Sequence, residues 1–186
     1  MASGKSTVSR WFQEWGASLV DGDALGWAVL REPAIVAALV EAFGAAVRSG
    51  DGMIDRVAMG RIVFRDSKEM DRLNAVVQPR LLERVRDALG SPATGTVLLD
   101  AALLTTWGME PELDGIVEVR ADDAARAARL VAARGFDAAQ ALERIQGQRL
   151  PPVRNPVRHW IIHNDGDLAA LRRQAEAVWK EIARLP

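Results

Sequence analysis

An α/β fold, with a mainly parallel sheet and helices wound on both of its faces, is predicted by three features of the sequence. Helical and strand-like segments alternate along the chain, as they do when crossover helices join parallel strands. The apolar run 17–20 leads into Asp21, and the run 96–100 ends in Asp100. Each aspartate thus lies at the C-terminal edge of a strand, where doubly wound sheets hold their ligands. The chain also opens on Ala2-Ser3-Gly4-Lys5-Ser6-Thr7, a glycine followed by Lys-Ser at the start of an amphipathic helix.

Each element has its own signal. Val8, Trp11, Phe12 and Trp15 fall at helical spacing over 6–15, and Gly16 is a stop. After the first strand, helices are expected over about 23–30 and 34–43, broken by Pro33. Asp55 caps a helix running to Phe64, and Asp66 with Glu69 forms a capping-box pattern for the next. A break is expected near Pro79 before a helix over 78–89. Strands follow at 96–100 and 116–119, then helices at 122–133 and 137–147, the latter with Asp137 and Gln140 as a capping pair. A strand at 160–163 precedes an amphipathic helix over 168–185, with Leu171, Ala175, Val178 and Ile182 facing inward.

Composition narrows the function. The 186 residues are 49% hydrophobic and 26% charged, and the formal net charge is −1, which excludes a general nucleic-acid or membrane-surface binder. No cysteine is present, so there is no disulfide framework, thiolate nucleophile or cysteine metal site. No apolar run reaches membrane-spanning length and no signal segment opens the chain; a cytoplasmic protein is expected. His159 and His163 share a strand without an evident carboxylate partner and read as structural. The six tryptophans read as packing residues rather than a base-stacking platform.

Residues 2–7 match the second half of the phosphate-loop pattern G-x-x-x-x-G-K-[ST]. Gly4 lets backbone amides approach phosphate, Lys5 reaches the β- and γ-phosphates, and the Ser6 hydroxyl serves Mg²⁺. The positive end of the helix that starts here faces the same anion. The pattern's first glycine falls upstream of Met1, so the sequence reads as lacking the first strand and half the loop. Two lost amide contacts to phosphate weaken nucleotide binding by about 3–6 kcal/mol. The 186-residue chain is therefore expected to be poorly soluble or essentially inactive, and restoring that strand and glycine-rich turn is expected to rescue activity. Asp21 is placed to orient an attacking hydroxyl, since Asp23 is the better candidate for capping the following helix.

Further motifs come in a fixed order. They are Val20-Asp21-Gly22-Asp23-Ala24-Leu25, then Asp51-Gly52-Met53-Ile54-Asp55-Arg56 with Met59, Val63 and Phe64. Val97-Leu98-Leu99-Asp100-Ala101-Ala102-Leu103-Leu104, Arg144-Ile145-Gln146-Gly147-Gln148 and Ile161-Ile162-His163-Asn164-Asp165-Gly166 follow. In this order and spacing the chain resembles the dephospho-coenzyme A kinases of the P-loop kinase superfamily over nearly its whole length.

The resemblance implies ATP-dependent phosphorylation of the ribose 3′-hydroxyl of dephospho-CoA, the last step of coenzyme A biosynthesis, with Mg²⁺. It implies one domain, with a helical substrate-binding insertion at about 40–92, a helical lid at about 120–148, and a gap in the sheet where the first strand belongs. Asp21, Lys5 and Arg56 take the catalytic roles. Asp21, Arg56 and Gln78 face the substrate, where Gln78 stands for a family histidine and hydrogen-bonds without carrying charge. Residues 2–7, Arg129, Arg134 and Asn164 bind ATP, the arginines from the lid and Asn164 near the adenine. On helices, these arginines serve a solvated face equally well. The partners implied are ATP and dephospho-CoA, with no nucleic acid, membrane or obligate protein partner. The alternatives are another small-molecule P-loop kinase, such as a nucleoside monophosphate or shikimate kinase, or a degenerate, non-catalytic nucleotide-binding protein.

Overall fold

Eight α-helices and four strands form among residues 1–91, 95–147 and 150–185, which the computed structural model describes. In order they are α1 (Lys5–Glu14), β1 (Ser18–Asp21), α2 (Gly22–Val29), α3 (Pro33–Phe43), α4 (Arg56–Val63) and α5 (Ser67–Gly90). Then come β2 (Val97–Asp100), β3 (Ile116–Arg120), α6 (Asp123–Arg134), α7 (Ala138–Gly147), β4 (His159–His163) and α8 (Leu168–Ile182). The chain divides into two compact units, Met1–Leu19 with Ala93–Pro186, and Val20–Pro92.

The first unit is an α/β body. Its core joins the apolar stripe of α1 (Val8, Trp11, Phe12) to that of α8 (Leu171, Ala175, Val178) and to Ile162 of β4. Burying a side chain such as Phe12, 2% exposed, stabilises the fold by about 1.5–3 kcal/mol. Phe12 also packs its ring 5.4 Å from that of Trp179. β3 and β4 pair in parallel, from Ile116 opposite His159 to Arg120 opposite His163. Gly115 admits this pairing, because a Cβ there would meet the Trp160 ring at 2.3 Å.

The pairing of strands is interrupted. β1 pairs with β2 and β3 with β4, and no strand among the described residues joins β2 to β3. α1 covers both pairs, since Leu98 of β2 and Val117 and Val119 of β3 all pack against its core. A separate small core joins α6 to α7 through Ala127, Leu130, Ala141 and Ile145. The capping pair before α7 forms as expected, with the Gln140 N–H donating to Asp137 Oδ1 at 2.8 Å and the Asp137 N–H to Gln140 Oε1 at 3.4 Å.

The second unit is helical apart from the end of β1, with Leu39, Val47, Met59 and Val63 at its centre. Asp55 accepts from the N–H groups of Val57 and Ala58, and Asp66 from that of Lys68, so both expected caps are made. Pro33 occupies the first turn of α3, where its missing N–H costs no helical bond. Glu32, just ahead, accepts from Arg80 at 2.7 Å and Arg84 at 3.0 Å, tying α5 to the start of α3. The Arg80 hydrogen bond, with Arg84 behind it, holds the Glu32 carboxyl below the usual carboxylate range. The break expected near Pro79 does not occur, and α5 runs unbroken through it. Pro79 removes one ladder bond, but Leu73, Val76 and Val77 before it pack on the core, and Leu81 and Val85 after it are buried. Packing on both sides outweighs the local defect. No helix of the described residues is long and apolar enough to cross a membrane.

Candidate active site

Gly4 stands at the N-cap of α1 with φ +100°, backbone that glycine adopts without the Cβ penalty of other residues. The first turn closes on it, as the N–H groups of Thr7 and Val8 donate to Gly4 O at 3.0 and 3.2 Å. Lys5 leads the helix and its ammonium pairs with the Asp100 carboxylate at the end of β2. Ser6 follows with an exposed side chain. The positive end of α1 thus presents a lysine and a hydroxyl together.

Side chains far along the chain fix the loop from behind. Arg126 Nε donates to Met1 O at 2.9 Å, Arg129 Nη1 to Ala2 O at 3.3 Å, and Asn164 Nδ2 to Ser3 O at 2.8 Å. Arg129 Nη2 also donates to Asn164 O at 2.6 Å. Asn164 is 7% exposed and sits so close that a Cβ on Gly4 would lie 2.3 Å from its Nδ2. Glycine is required at position 4 by conformation and by contact at once.

A cavity of about 710 Å³ opens beside this loop, lined by Ser3 and Lys5, by residues 117–120 of β3, and by Arg126 and Asp165. Glu118 on its wall accepts from Arg120 Nε and Nη2, both at 2.9 Å, and contacts His159 Nε2 at 3.0 Å. Arg120 foremost, with His159 adding to it, holds the Glu118 carboxyl below its ordinary value. Unfolded, this carboxyl titrates near about pH 4.3. A lowered folded value means stabilisation that is complete above that pH and lost as pH falls through the folded value. Glu118→Gln is therefore expected to lower the melting temperature at neutral pH and to converge with the parent as pH falls through the folded value. Parallel melting curves that keep a constant offset over the range would show that the carboxylate's charge is not the cause.

Asp21, Arg56 and Gln78 lie in the helical unit. Asp21 ends β1 and caps α2, accepting from the Ala24 N–H at 2.9 Å. That corrects the assignment of the cap to Asp23. α2 starts one residue earlier, at Gly22, so the extended backbone of Asp21 (φ −86°, ψ 101°) supplies the N-cap geometry. One carboxylate oxygen makes this bond, so the cap and a second role are compatible. Arg56 opens α4 with its guanidinium 3.3 Å from the centroid of the Trp27 ring, a cation–π contact that fixes a cation at the surface. Gln78 lies on α5, half-buried. The side chain of Arg134, and Gln148, lie outside the described residues.

Both histidines have carboxylate neighbours, contrary to expectation: His159 has Glu118, and His163 Nδ1 lies 3.8 Å from Asp165 Oδ2. Each carboxylate comes from outside the strand that carries the histidines, so periodicity along that strand does not reveal it. Among the described residues no group of three or more His, Asp or Glu could hold a metal ion alone. The donors at the loop are oxygens, the Ser6 hydroxyl and Asp100 carboxylate. They suit a hard cation that takes few protein ligands and completes its shell with phosphate and water. Sequence reasoning gave no role to Asp100 or Arg126. For Asp100 a signal existed, the same strand-edge carboxylate that singled out Asp21; for Arg126 there was none.

The sequence profile of the family described as Dephospho-CoA kinase matches residues 1–170. A curated dephospho-CoA kinase of Thermobifida fusca is 33% identical over 187 residues, 99% of this chain and 93% of that protein. The dephospho-CoA kinase of Mycolicibacterium paratuberculosis is 37% identical over 97% of this chain, which spans 45% of that longer protein. Among solved structures, TT1252 from Thermus thermophilus superposes with a TM-score of 0.78 at 32% identity, covering 98% of this chain and 93% of that one. The dephospho-CoA kinase of Campylobacter jejuni shares the fold, with a TM-score of 0.63 at 19% identity over 99% of this chain and 94% of that one. A phosphate-loop turn backed by its own side chains, in a chain similar to these proteins from end to end, places it: the chain belongs to the dephospho-CoA kinase family.

Proposed function

We propose that the chain transfers the γ-phosphoryl group of ATP to the ribose 3′-hydroxyl of dephospho-CoA, giving ADP and coenzyme A. The observation that supports this most directly is the Gly4-Lys5-Ser6 turn at the N-terminus of α1, with Lys5 paired to Asp100, in a member of this family. In this reading residues 2–7 receive the phosphates. Lys5 leaves Asp100 to donate to the β- and γ-phosphate oxygens, and Ser6 and Asp100 are the groups that would hold Mg²⁺. A bound divalent cation neutralises charge on the phosphates.

Asp21 orients the 3′-hydroxyl and accepts its proton as the hydroxyl oxygen bonds to the γ-phosphorus. The bond from that phosphorus to the β,γ-bridging oxygen breaks, and ADP leaves. Arg56, held over Trp27, contributes positive charge on the substrate side, with Gln78 as a neutral hydrogen-bonding group. Residues 40–92 serve as the substrate-binding part and 120–148 as a lid, from which Arg129 and Arg134 act on the ATP side with Asn164. The enzyme works in the cytoplasm on small molecules, with no nucleic acid, membrane or obligate protein partner.

The test is an acceptor panel at millimolar ATP and Mg²⁺, comparing dephospho-CoA, nucleoside monophosphates and shikimate. ADP release is coupled to mass detection of the phosphorylated product, so that slow turnover registers. Phosphorylation of dephospho-CoA above all others is expected. Preference for another acceptor, or no product under any condition, would overturn the reading.

A further inference from the structure

Three consecutive carbonyls of the loop are held from one side. Met1 O accepts from Arg126, Ala2 O from Arg129 and Ser3 O from Asn164. The intervening peptides are trans, so each N–H points opposite to the carbonyl of its own peptide plane. Fixing those carbonyls towards α6 and the end of β4 turns the N–H groups of Ala2, Ser3 and Gly4 the other way, together. The loop bends to allow this, with φ +57° at Ala2 and +100° at Gly4. Ala2 holds a conformation that residues with a Cβ enter only at a cost, and it packs against the α6–α7 core.

The holding side chains are themselves tied down. Arg126 bonds Asp123 Oδ1 at 2.9 Å through Nη1, its side chain 18% exposed. Arg129 joins Ala2 to Asn164 by donating to both carbonyls, and Asn164 is buried. A row of amides turned one way by a fixed scaffold forms an anion-binding concavity. Each of the three side chains spends one donor on the loop backbone, Arg126 through Nε, Arg129 through Nη1 and Asn164 through Nδ2.

We infer that Arg126, Arg129 and Asn164 are positioning residues that aim the Ala2, Ser3 and Gly4 amides at the phosphates of ATP, acting through the loop. This rests on the reading of that loop as the phosphate site. It assigns a role to Arg126, and it moves the main effect of Asn164 from the base to the phosphates. It also couples α6 to nucleotide affinity, because two of the three donors stand on that helix.

The experiment measures equilibrium binding of ATP, tripolyphosphate, adenosine and dephospho-CoA to the full chain and to Asn164→Ala, Arg126→Met and Arg126→Lys. Each removed donor is expected to weaken ATP and tripolyphosphate by about tenfold and leave adenosine and dephospho-CoA unchanged. Asn164 is uncharged, so its effect is not attraction of the phosphates by a cation. Arg126→Lys keeps a donor and is expected to recover part of the loss. Near-ultraviolet circular dichroism of each variant reports whether the core is intact. If Asn164→Ala weakens adenosine as much as ATP, or if Arg126→Met leaves tripolyphosphate binding unchanged, the inference is wrong. Failure of the unmodified chain to bind either ATP or tripolyphosphate is a different result, which removes the phosphate-site reading and this inference with it.

Discussion

Gly4→Ala is expected to lower ATP affinity by about two orders of magnitude while leaving the fold in place. Two costs add. A residue with a Cβ held in left-handed backbone loses about 1–2 kcal/mol, and Gly4 is at φ +100°. The new Cβ would also lie 2.3 Å from Asn164 Nδ2, so the Asn164 bond to Ser3 O must break, at about 1 kcal/mol. Both costs fall on the segment proposed to receive the phosphates. Gly16→Ala is the matched control, since Gly16 has φ +113° with no atom near its Cβ position. It is expected to lower stability without changing ATP binding. Calorimetric titration of ATP into each variant decides the matter; equal affinities in the two would show that the Gly4 contact has no bearing on the nucleotide.

Asp21→Asn is expected to reduce kcat by roughly 10²–10⁴-fold, the usual contribution of a general base, with a small change in KM for ATP. The structure makes this substitution clean. Asp21 caps α2 through one oxygen, and asparagine caps helices about as well as aspartate, so α2 keeps its start while the proton acceptor is lost. Asp21→Ala removes both and separates the two functions, with a cap loss of about 1 kcal/mol visible in thermal unfolding. A fall in kcat of less than about tenfold for Asp21→Asn would leave Asp21 as a helix cap alone.

What the sequence made legible was local or periodic. Strands were readable at β1 and β2 because a short apolar run terminates in a single aspartate. The caps at Asp55, Asp66 and Asp137 were readable because their partners lie two or three residues away. The start of α2 was misjudged by one residue, enough to transfer the cap from Asp23 to Asp21. Pro79 misled because proline's local preference is a weak prior against contacts made on both sides of it. At the site, Gly4, Lys5 and Ser6 were legible as a motif, whereas their partners were not. Lys5 meets Asp100, and Ser3 meets Asn164, across separations that no periodicity encodes. Arg126 looked like any arginine on a polar helix face, because the groups it binds include a backbone carbonyl more than a hundred residues earlier.

The stacking of Arg56 on Trp27 has an optical consequence. Trp27 is the one indole of the Val20–Pro92 unit, and Trp11, Trp15, Trp107, Trp160 and Trp179 belong to the other. Trp27 is 41% exposed and its ring lies directly beneath a guanidinium, whose nearby positive charge shifts and quenches indole emission. The difference between the emission spectra of the parent and of Trp27→Phe therefore isolates a single fluorophore that reads where Arg56 is. Any acidic ligand that draws Arg56 off the ring changes that difference spectrum, so the protein carries an intrinsic dye for the position of this one cation, with no label attached.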